Sequence, residues 1–269
     1  MQTEQRVVGQ IEWNLIDQGS GPAILFVHGF PLDWTMWRFQ VKTFSKNHRV
    51  ICPDLPGYGK SKFLVEKPST SMEEMADQLS ALLESLQVAR VAFCRLSMGG
   101  YVGWQFWAKH RDRLSHLIAC DTRSIADTPE VARGRRILAK GVQKHGSQRV
   151  ARAMIPKLFS ATTRNGNPDV VAQCERVIAN CSPATISRGH LAMSKRQDVT
   201  GHLEMMGSVP TMVVVGEQDE ISTESEMREI ARNIPGARFL AIKNAGHMAP
   251  LERPAEFNQA VLGFLAETG

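Results

Sequence analysis

The stretch that decides the fold runs from Arg90 to His110 and reads RVAFCRLSMGGYVGWQFWAKH. Its opening RVAFC is a short apolar run that is typical of a buried strand, and the part after the paired glycines is long enough for a helix. Ser97 lies between them, where a sharp strand-to-helix turn would hold its hydroxyl clear of the sheet. Gly99, Gly100 and Gly103 would let the helix approach the strand. Ser97 is therefore the candidate nucleophile.

An acid and a base follow Ser97 in the chain order that a serine nucleophile needs. Asp219 comes after the apolar run TMVVVG, in the loop GEQD, and His247 comes after the next strand-like run, within NAGHM. The order serine, aspartate, histidine predicts a triad in which His247 is the general base and Asp219 orients its imidazole. Asp121, at the end of an earlier strand-like run, is the alternative acid.

The segment His28-Gly29-Phe30-Pro31 ends another strand-like run, AILFV. Glycine lets the backbone turn there, so that the N–H groups of Phe30 and Met98 are expected to face one oxygen. Each such donor contributes roughly 3 to 4 kcal/mol toward a developing oxyanion in known cases. We expect His28 and Gly29 to border the substrate pocket, whereas Trp34 either lines the acyl side of the pocket or packs in the core.

Strand-like runs alternate with helical patterns on both sides of one long helical stretch. This alternation predicts an α/β fold, with a mainly parallel central sheet flanked by helices. The predicted strands are 11–17, 23–28, 49–54, 90–94, 116–121, 211–216 and 237–242, and the predicted helices are 71–87, 98–109, 223–233 and 255–266. Ser71 and Glu74 would form a capping box. We expect a core domain from 1–123 and 207–269 and a helical cap from 124–206, above the carboxyl edge of the sheet.

The composition excludes several classes of protein. The chain has 269 residues, of which 43% are hydrophobic and 22% charged, as in ordinary globular proteins. Its formal net charge is +5, but basic residues are scattered among acidic ones, so we expect no nucleic-acid partner. There is no signal-peptide pattern and no membrane-spanning run. Five cysteines without a CxxC pair indicate reduced thiols and a cytoplasmic location, and the histidine spacing predicts no metal site.

Several segments together resemble the α/β-hydrolase family: HGFPLDWTMW, DLPGYGKS, CRLSMGG, VVVGEQD and NAGHMAPLERP. The narrower resemblance is to small carboxylesterases and 3-oxoadipate enol-lactone hydrolases. It implies cleavage of a small carboxylic ester or lactone through an acyl-enzyme, with no cofactor. Perhydrolases and carbon–carbon bond hydrolases use the same triad, so both remain open. The oligomeric state is not indicated.

The chain departs from the family pattern at Arg95, where the family usually has glycine. A guanidinium pointing into the pocket would narrow the acyl site or bind an anionic substrate group. A guanidinium pointing behind the turn would strain the oxyanion donor at Met98. We expect Arg95 to lower activity on simple esters, so that Arg95→Gly raises it. An impaired turn would instead make the chain a ligand-binding protein on a hydrolase fold.

Overall fold

Nine strands form one sheet in the part of the chain that the structure describes, which is residues 1–66 and 70–269 of a computed structural model. They are β1 (Glu4–Val8), β2 (Ile11–Gln18), β3 (Ala23–Val27), β4 (Arg49–Pro53), β5 (Lys62–Phe63), β6 (Val91–Leu96), β7 (Leu114–Cys120), β8 (Thr211–Gly216) and β9 (Arg238–Ile242). The order is β1-β2-β4-β3-β6-β7-β8-β9, and β5 pairs with β2. The six strands from β4 to β9 along this order are parallel, which confirms the predicted sheet.

The sequence did not predict β1 and β5. β1 is mostly exposed and pairs antiparallel with β2, and β5 is only two residues long. Neither strand has a continuous apolar run, because neither is buried between layers of helices.

Helices cover both faces of the sheet. They are α1 (Arg38–Phe44), α2 (Met72–Ser85), α3 (Met98–His110), α9 (Glu224–Asn233), α10 (Ala249–Glu252) and α11 (Pro254–Thr268). Alternate residues of β3 point to opposite faces of the sheet, each of which has its own hydrophobic core. Leu25 and Val27 pack in the core with α2, α3 and α9. Ile24 and Phe26 pack in the core with α1 and α11. The predicted capping box of Ser71 and Glu74 is confirmed at the start of α2.

The chain between β7 and β8 forms five α-helices and a 3-10 segment. The structure describes every residue of this stretch, and none of them lies in a strand. The helices are α4 (Pro129–His145), α5 (Ser147–Leu158), α6 (Ala161–Gly166), α7 (Pro168–Asn180) and α8 (Pro183–Met193). We call residues 124–206 the helical segment. It contacts loops that follow strands: the N–H of Met248 donates to the carbonyl of Leu158, and Thr185 Oγ1 donates to the carbonyl of Gly57. It therefore lies over the carboxyl edge of the sheet.

None of the helices formed by the described residues is both long and apolar enough to cross a lipid bilayer.

Arg95 is fully buried on the face of the sheet that carries α3. Its guanidinium carbon lies 4.2 Å from the ring centre of Trp104, a cation–π contact, and no hydrogen-bond acceptor for its three nitrogens is found among the described residues. Burial lowers the pKa of Arg95 to about 10, so that the group stays charged at neutral pH. The Arg95 side chain fits there because residue 103 is glycine: a Cβ at Gly103 would lie 1.9 Å from Arg95 Cδ.

We therefore expect Gly103→Ala to destabilise the protein by about 1 to 3 kcal/mol, the usual effect of overpacking a core. In an Arg95→Gly background the same change should be neutral or stabilising, because alanine favours helix over glycine by about 1 kcal/mol. Urea unfolding of the two single variants, the double variant and the unmodified chain measures this coupling. Additive changes in unfolding free energy would contradict the packing of Arg95 against Gly103.

Candidate active site

The backbone at Ser97 makes the sharp turn between β6 and α3, with φ +53° and ψ −114°. Non-glycine residues adopt such angles at a cost of roughly 1 to 3 kcal/mol, so the surroundings must hold the turn in place. The N–H of Ser97 donates to the carbonyl of Cys120 at 3.0 Å, and the carbonyl of Ser97 accepts from Thr122 Oγ1 at 2.8 Å. Gly100 is required beside this bond, since a Cβ there would lie 2.1 Å from Thr122 Oγ1.

His247 and Asp219 are joined by a buried hydrogen bond of 2.7 Å between Nδ1 and Oδ2. The other carboxylate oxygen of Asp219 accepts from the backbone N–H of Ile221 at 2.7 Å and of Ser222 at 3.1 Å. The carboxylate is therefore an acceptor on both oxygens, and His247 must carry its proton on Nδ1. That tautomer leaves Nε2 free to accept a proton.

Ser97 and His247 line the same cavity, which has a volume of about 190 Å³. Within the described chain no hydrogen bond joins Ser97 to the His247 ring. In hydrolytic enzymes without bound substrate this bond is often long, and it closes when the substrate binds. The structure thus brings the three predicted residues together at the carboxyl edge of the sheet.

Asp121, the alternative acid, lies beside this pair but does not bind the imidazole. Its Oδ1 accepts from the N–H of Gly216 at 2.8 Å, and its buried Oδ2 has no partner among the described residues. Burial, together with the neighbouring Asp219 carboxylate, raises the pKa of Asp121 well above its ordinary value. The geometry therefore favours Asp219, and not Asp121, as the residue that orients His247.

One potential ligand atom from each of Asp121, Asp219 and His247 lies within 4.8 Å of the others. The set does not suit a cation, because the three groups already bind protein partners: His247 Nδ1 binds Asp219, Asp219 accepts from two backbone N–H groups, and Asp121 Oδ1 accepts from the N–H of Gly216. These residues are better explained as a hydrogen-bonded acid and base than as metal ligands.

His28 holds the loop that faces the nucleophile. Its ring is fully buried, with Nδ1 2.8 Å from the carbonyl of Gly29 and Nε2 2.9 Å from the backbone nitrogen of Leu55. Since the carbonyl can only accept and the N–H can only donate, Nδ1 carries the proton and Nε2 accepts. Burial lowers the pKa of His28 to about 4. Both ring nitrogens are thus used to fix the loop.

The loop that follows passes very close to Ser97. A Cβ on Gly29 would lie 2.8 Å from Leu96 Cδ2 and 3.3 Å from Ser97 Cβ, so only glycine fits. The backbone N–H groups of Phe30 and Met98 donate to no protein acceptor within the described ranges. Both donors therefore remain available to an oxygen beside Ser97.

None of the four residues predicted to border the pocket, His28, Gly29, Trp34 and Arg95, lines the cavity that contains Ser97. His28 and Gly29 instead shape the loop beside Ser97. Arg95 lies behind the turn, against Trp104, which is the second of the two placements considered above. Trp34 begins a short 3-10 helix, and its backbone N–H donates to Asp54 Oδ1 at 2.8 Å. Its side chain is partly buried against the core.

The sequence did not identify the residues that the helical segment contributes to the cavity. These residues share only the helix face that they occupy on α4, α5 or α8, and no sequence motif marks them. They are Arg135, Met154, Lys157, Leu158, His190 and Met193. The remaining lining residues come from the sheet domain and its loops: Phe30, Ser97, Tyr101, Ile221 and His247.

Glu252 is a further residue that sequence reasoning missed. Its Oε1 accepts from the N–H of Gly246 at 2.7 Å, and its Oε2 accepts from the N–H and the hydroxyl of Ser160 at 3.0 and 2.7 Å. This buried carboxylate joins the loop that carries His247 to the end of α5. It acts as a positioning residue, because it fixes the backbone next to the imidazole.

The fully buried, neutral His28 predicts a loss of stability in acid. Its pKa is near 6.5 when unfolded and about 4 when folded, so the unfolded chain takes up the proton first as the pH falls. We expect about 2 to 3 kcal/mol of the unfolding free energy to be lost between pH 7.5 and 4.5 through this residue.

Glutamine at position 28 offers a donor and an acceptor without titrating, so His28→Gln should show a correspondingly smaller loss. Urea unfolding at the two pH values measures it, and all other titrating groups are common to both proteins. An equal loss in the variant would show that His28 does not carry the effect.

Comparison with known proteins places this geometry in a family. Residues 22–254 match the family described as the alpha/beta hydrolase fold. A 3-oxoadipate enol-lactonase from Acinetobacter baylyi is 25% identical over 244 residues, which cover 91% of this chain and 88% of that protein.

Two solved structures are similar over nearly their whole length. A thermophilic esterase from Thermogutta terrifontis has a TM-score of 0.95 and 39% identity, covering 100% of this chain and 99% of the other. An enol-lactonase from Burkholderia xenovorans LB400 has a TM-score of 0.89 and 28% identity, covering 98% and 100%. The chain belongs to the α/β-hydrolase family.

Proposed function

We propose that this chain is a serine hydrolase that cleaves a small carboxylic ester or lactone through an acyl-enzyme. The observation that carries the proposal is the buried bond between His247 Nδ1 and Asp219, with Ser97 on the same cavity as the imidazole. The similarity to an esterase and to an enol-lactonase over nearly the whole chain supports the same class of substrate.

In the first half of the reaction, Ser97 Oγ attacks the carbonyl carbon while His247 Nε2 takes the hydroxyl proton. The carbonyl oxygen becomes an oxyanion, and the N–H groups of Phe30 and Met98 stabilise it. The imidazolium is stabilised by Asp219 and then gives its proton to the departing alcohol oxygen. In a lactone that alcohol remains attached to the acyl group.

In the second half, water attacks the acyl-enzyme carbonyl and His247 takes a proton from it. Collapse of the second tetrahedral intermediate returns the proton to Ser97 and releases the carboxylic acid. No cofactor takes part in either half. We propose that the helical segment acts as a cap domain, because it supplies six of the residues that line the cavity.

The guanidinium of Arg95 lies behind the turn and does not enter the cavity beside Ser97. The expectation that Arg95 lowers activity on simple esters therefore rests on strain at the Met98 donor, and Arg95→Gly should raise kcat if that strain exists. A perhydrolase or a carbon–carbon bond hydrolase would use the same three residues, and a panel of substrates separates these activities from ester hydrolysis.

Replacement of the nucleophile tests the proposal directly. Ser97→Ala should lower kcat on 4-nitrophenyl acetate by a factor on the order of 10⁶ and abolish labelling by a fluorophosphonate, with little change in melting temperature. A purified Ser97→Ala protein that kept about a tenth of the activity would exclude Ser97 as nucleophile.

The two acids provide a matched pair. Asp219→Asn should lower kcat by a factor on the order of 10⁴, because the imidazole loses its required tautomer. Asp121→Asn should change kcat by less than about tenfold, since Asp121 makes no hydrogen bond to the imidazole, and a factor of ten corresponds to only about 1.4 kcal/mol of barrier. Steady-state kinetics on one ester compares them, and the reverse ranking would identify Asp121 as the catalytic acid.

A further inference from the structure

We propose that the groove between α4 and α5 binds an apolar chain of the substrate, so that the preferred substrates are esters or lactones bearing an extended alkyl chain. The proposal rests on the function proposed above. It adds a binding subsite outside the cavity that contains Ser97.

The groove adjoins the cavity that contains Ser97. It has a volume of about 450 Å³ and shares three lining residues with that cavity: Met154, Lys157 and His190. The cavity alone, at about 190 Å³, is smaller than the roughly 300 to 1,000 Å³ of typical small-molecule sites, whereas the two volumes together fall within that range. A substrate that fills the site therefore extends beyond the cavity and into the groove.

The walls of the groove are mostly apolar. Ile137 and Leu138 on α4 are 65% and 55% exposed, and Val142, Val150 and Met154 continue the apolar lining inward. Removing apolar surface from water is favourable, so an alkyl chain lying on these side chains would be bound. Such a contiguous apolar lining next to a catalytic cavity suits an extended chain better than a polar substituent.

Two glycines keep the groove open. Gly141 lines it from α4, and Gly146 lies in the short turn between α4 and α5. A Cβ at Gly141 would meet no atom within 4 Å, so that the space above it is empty rather than filled by a neighbour. Glycine is an unfavourable residue inside a helix, and here it leaves room for a chain.

The junction with the cavity also admits an apolar chain. His190 is only 7% exposed, its ring centre lies 4.7 Å from that of Phe30, and its buried Nδ1 has no hydrogen-bond partner among the described residues. Burial, and to a lesser degree Arg135, lowers its pKa to about 4, so the ring is uncharged near neutral pH. Lys157 is exposed and can place its ammonium group in water while its methylene stem covers the chain.

An anionic lipid surface is the main competing occupant, because α5 carries Arg149, Arg152 and Lys157 and no acidic residue. The observations favour the substrate chain, since the groove shares three lining residues with the cavity that contains Ser97, whereas binding to a membrane surface would need only the outer rim.

The test fills the groove from Gly141. Gly141→Trp would occupy the space, and Gly134→Trp is the matched control: it lies two turns earlier on α4, has nothing within 4 Å of its Cβ, and lines neither the groove nor the cavity. Both changes alter helix propensity equally. Gly141→Leu provides a smaller filling in case the tryptophan variant does not fold, and melting temperatures check the fold of all three.

Activity is measured on two series, 4-nitrophenyl esters with acyl chains from acetate to decanoate, and acetates of n-alcohols from ethanol to decanol, all below their critical micelle concentrations. We expect Gly141→Trp to keep kcat/KM on 4-nitrophenyl acetate and on ethyl acetate, and to lower it at least tenfold on the longest members of one series. Gly134→Trp should match the unmodified chain throughout.

A uniform effect across both series, or no effect in either, would overturn the subsite while leaving ester hydrolysis intact. Loss of binding to phosphatidylglycerol vesicles in Gly141→Trp, with chain-length preference unchanged, would overturn it in favour of a lipid surface. Absence of Ser97-dependent hydrolysis of every ester would instead contradict the proposed function itself.

Discussion

The turn at Ser97 is the constraint on which the rest of the site depends. Its backbone angles are unfavourable for a residue with a side chain, and they persist because neighbouring strands and loops bond to the turn from several sides. Close packing requires glycine at Gly99, where a Cβ would lie 2.7 Å from the carbonyl of Val27, and at Gly29 on the facing loop. The parallel strands thus position Ser97, and the glycines make room for it.

Burial shifts several titratable groups around this turn toward their neutral forms. His28 and His190 have pKa values lowered to about 4, and the pKa of Asp121 is raised well above its ordinary value. The carboxylate of Asp219 accepts hydrogen bonds from two backbone N–H groups and from the imidazole. A single carboxylate facing His247 is the arrangement that stabilises an imidazolium during acyl transfer.

The helical segment is tied to the loop that carries His247 by a buried carboxylate as well as by the backbone bond from Met248 to Leu158. Glu252 bonds to both Gly246, next to His247, and Ser160, just after α5. A shift of α5 would therefore be felt at the loop that carries the imidazole. The same helix forms one wall of the groove proposed to bind the substrate chain, so the proposed binding and catalytic roles would be coupled through α5.

The sequence by itself determined the parallel sheet, the identity of the three candidate catalytic residues and the helical character of residues 124–206. These features are local: each depends on an apolar run, a turn residue or a position directly after a strand. The choice between Asp219 and Asp121 needed the tertiary structure, since both follow strands and only distance separates their roles. The same holds for Arg95, whose direction depends on the space left by Gly103 on a different element. The residues of α4, α5 and α8 that line the cavity and the groove also had to come from the structure, because helix register against a distant sheet is decided by packing between elements rather than by any pattern along the chain.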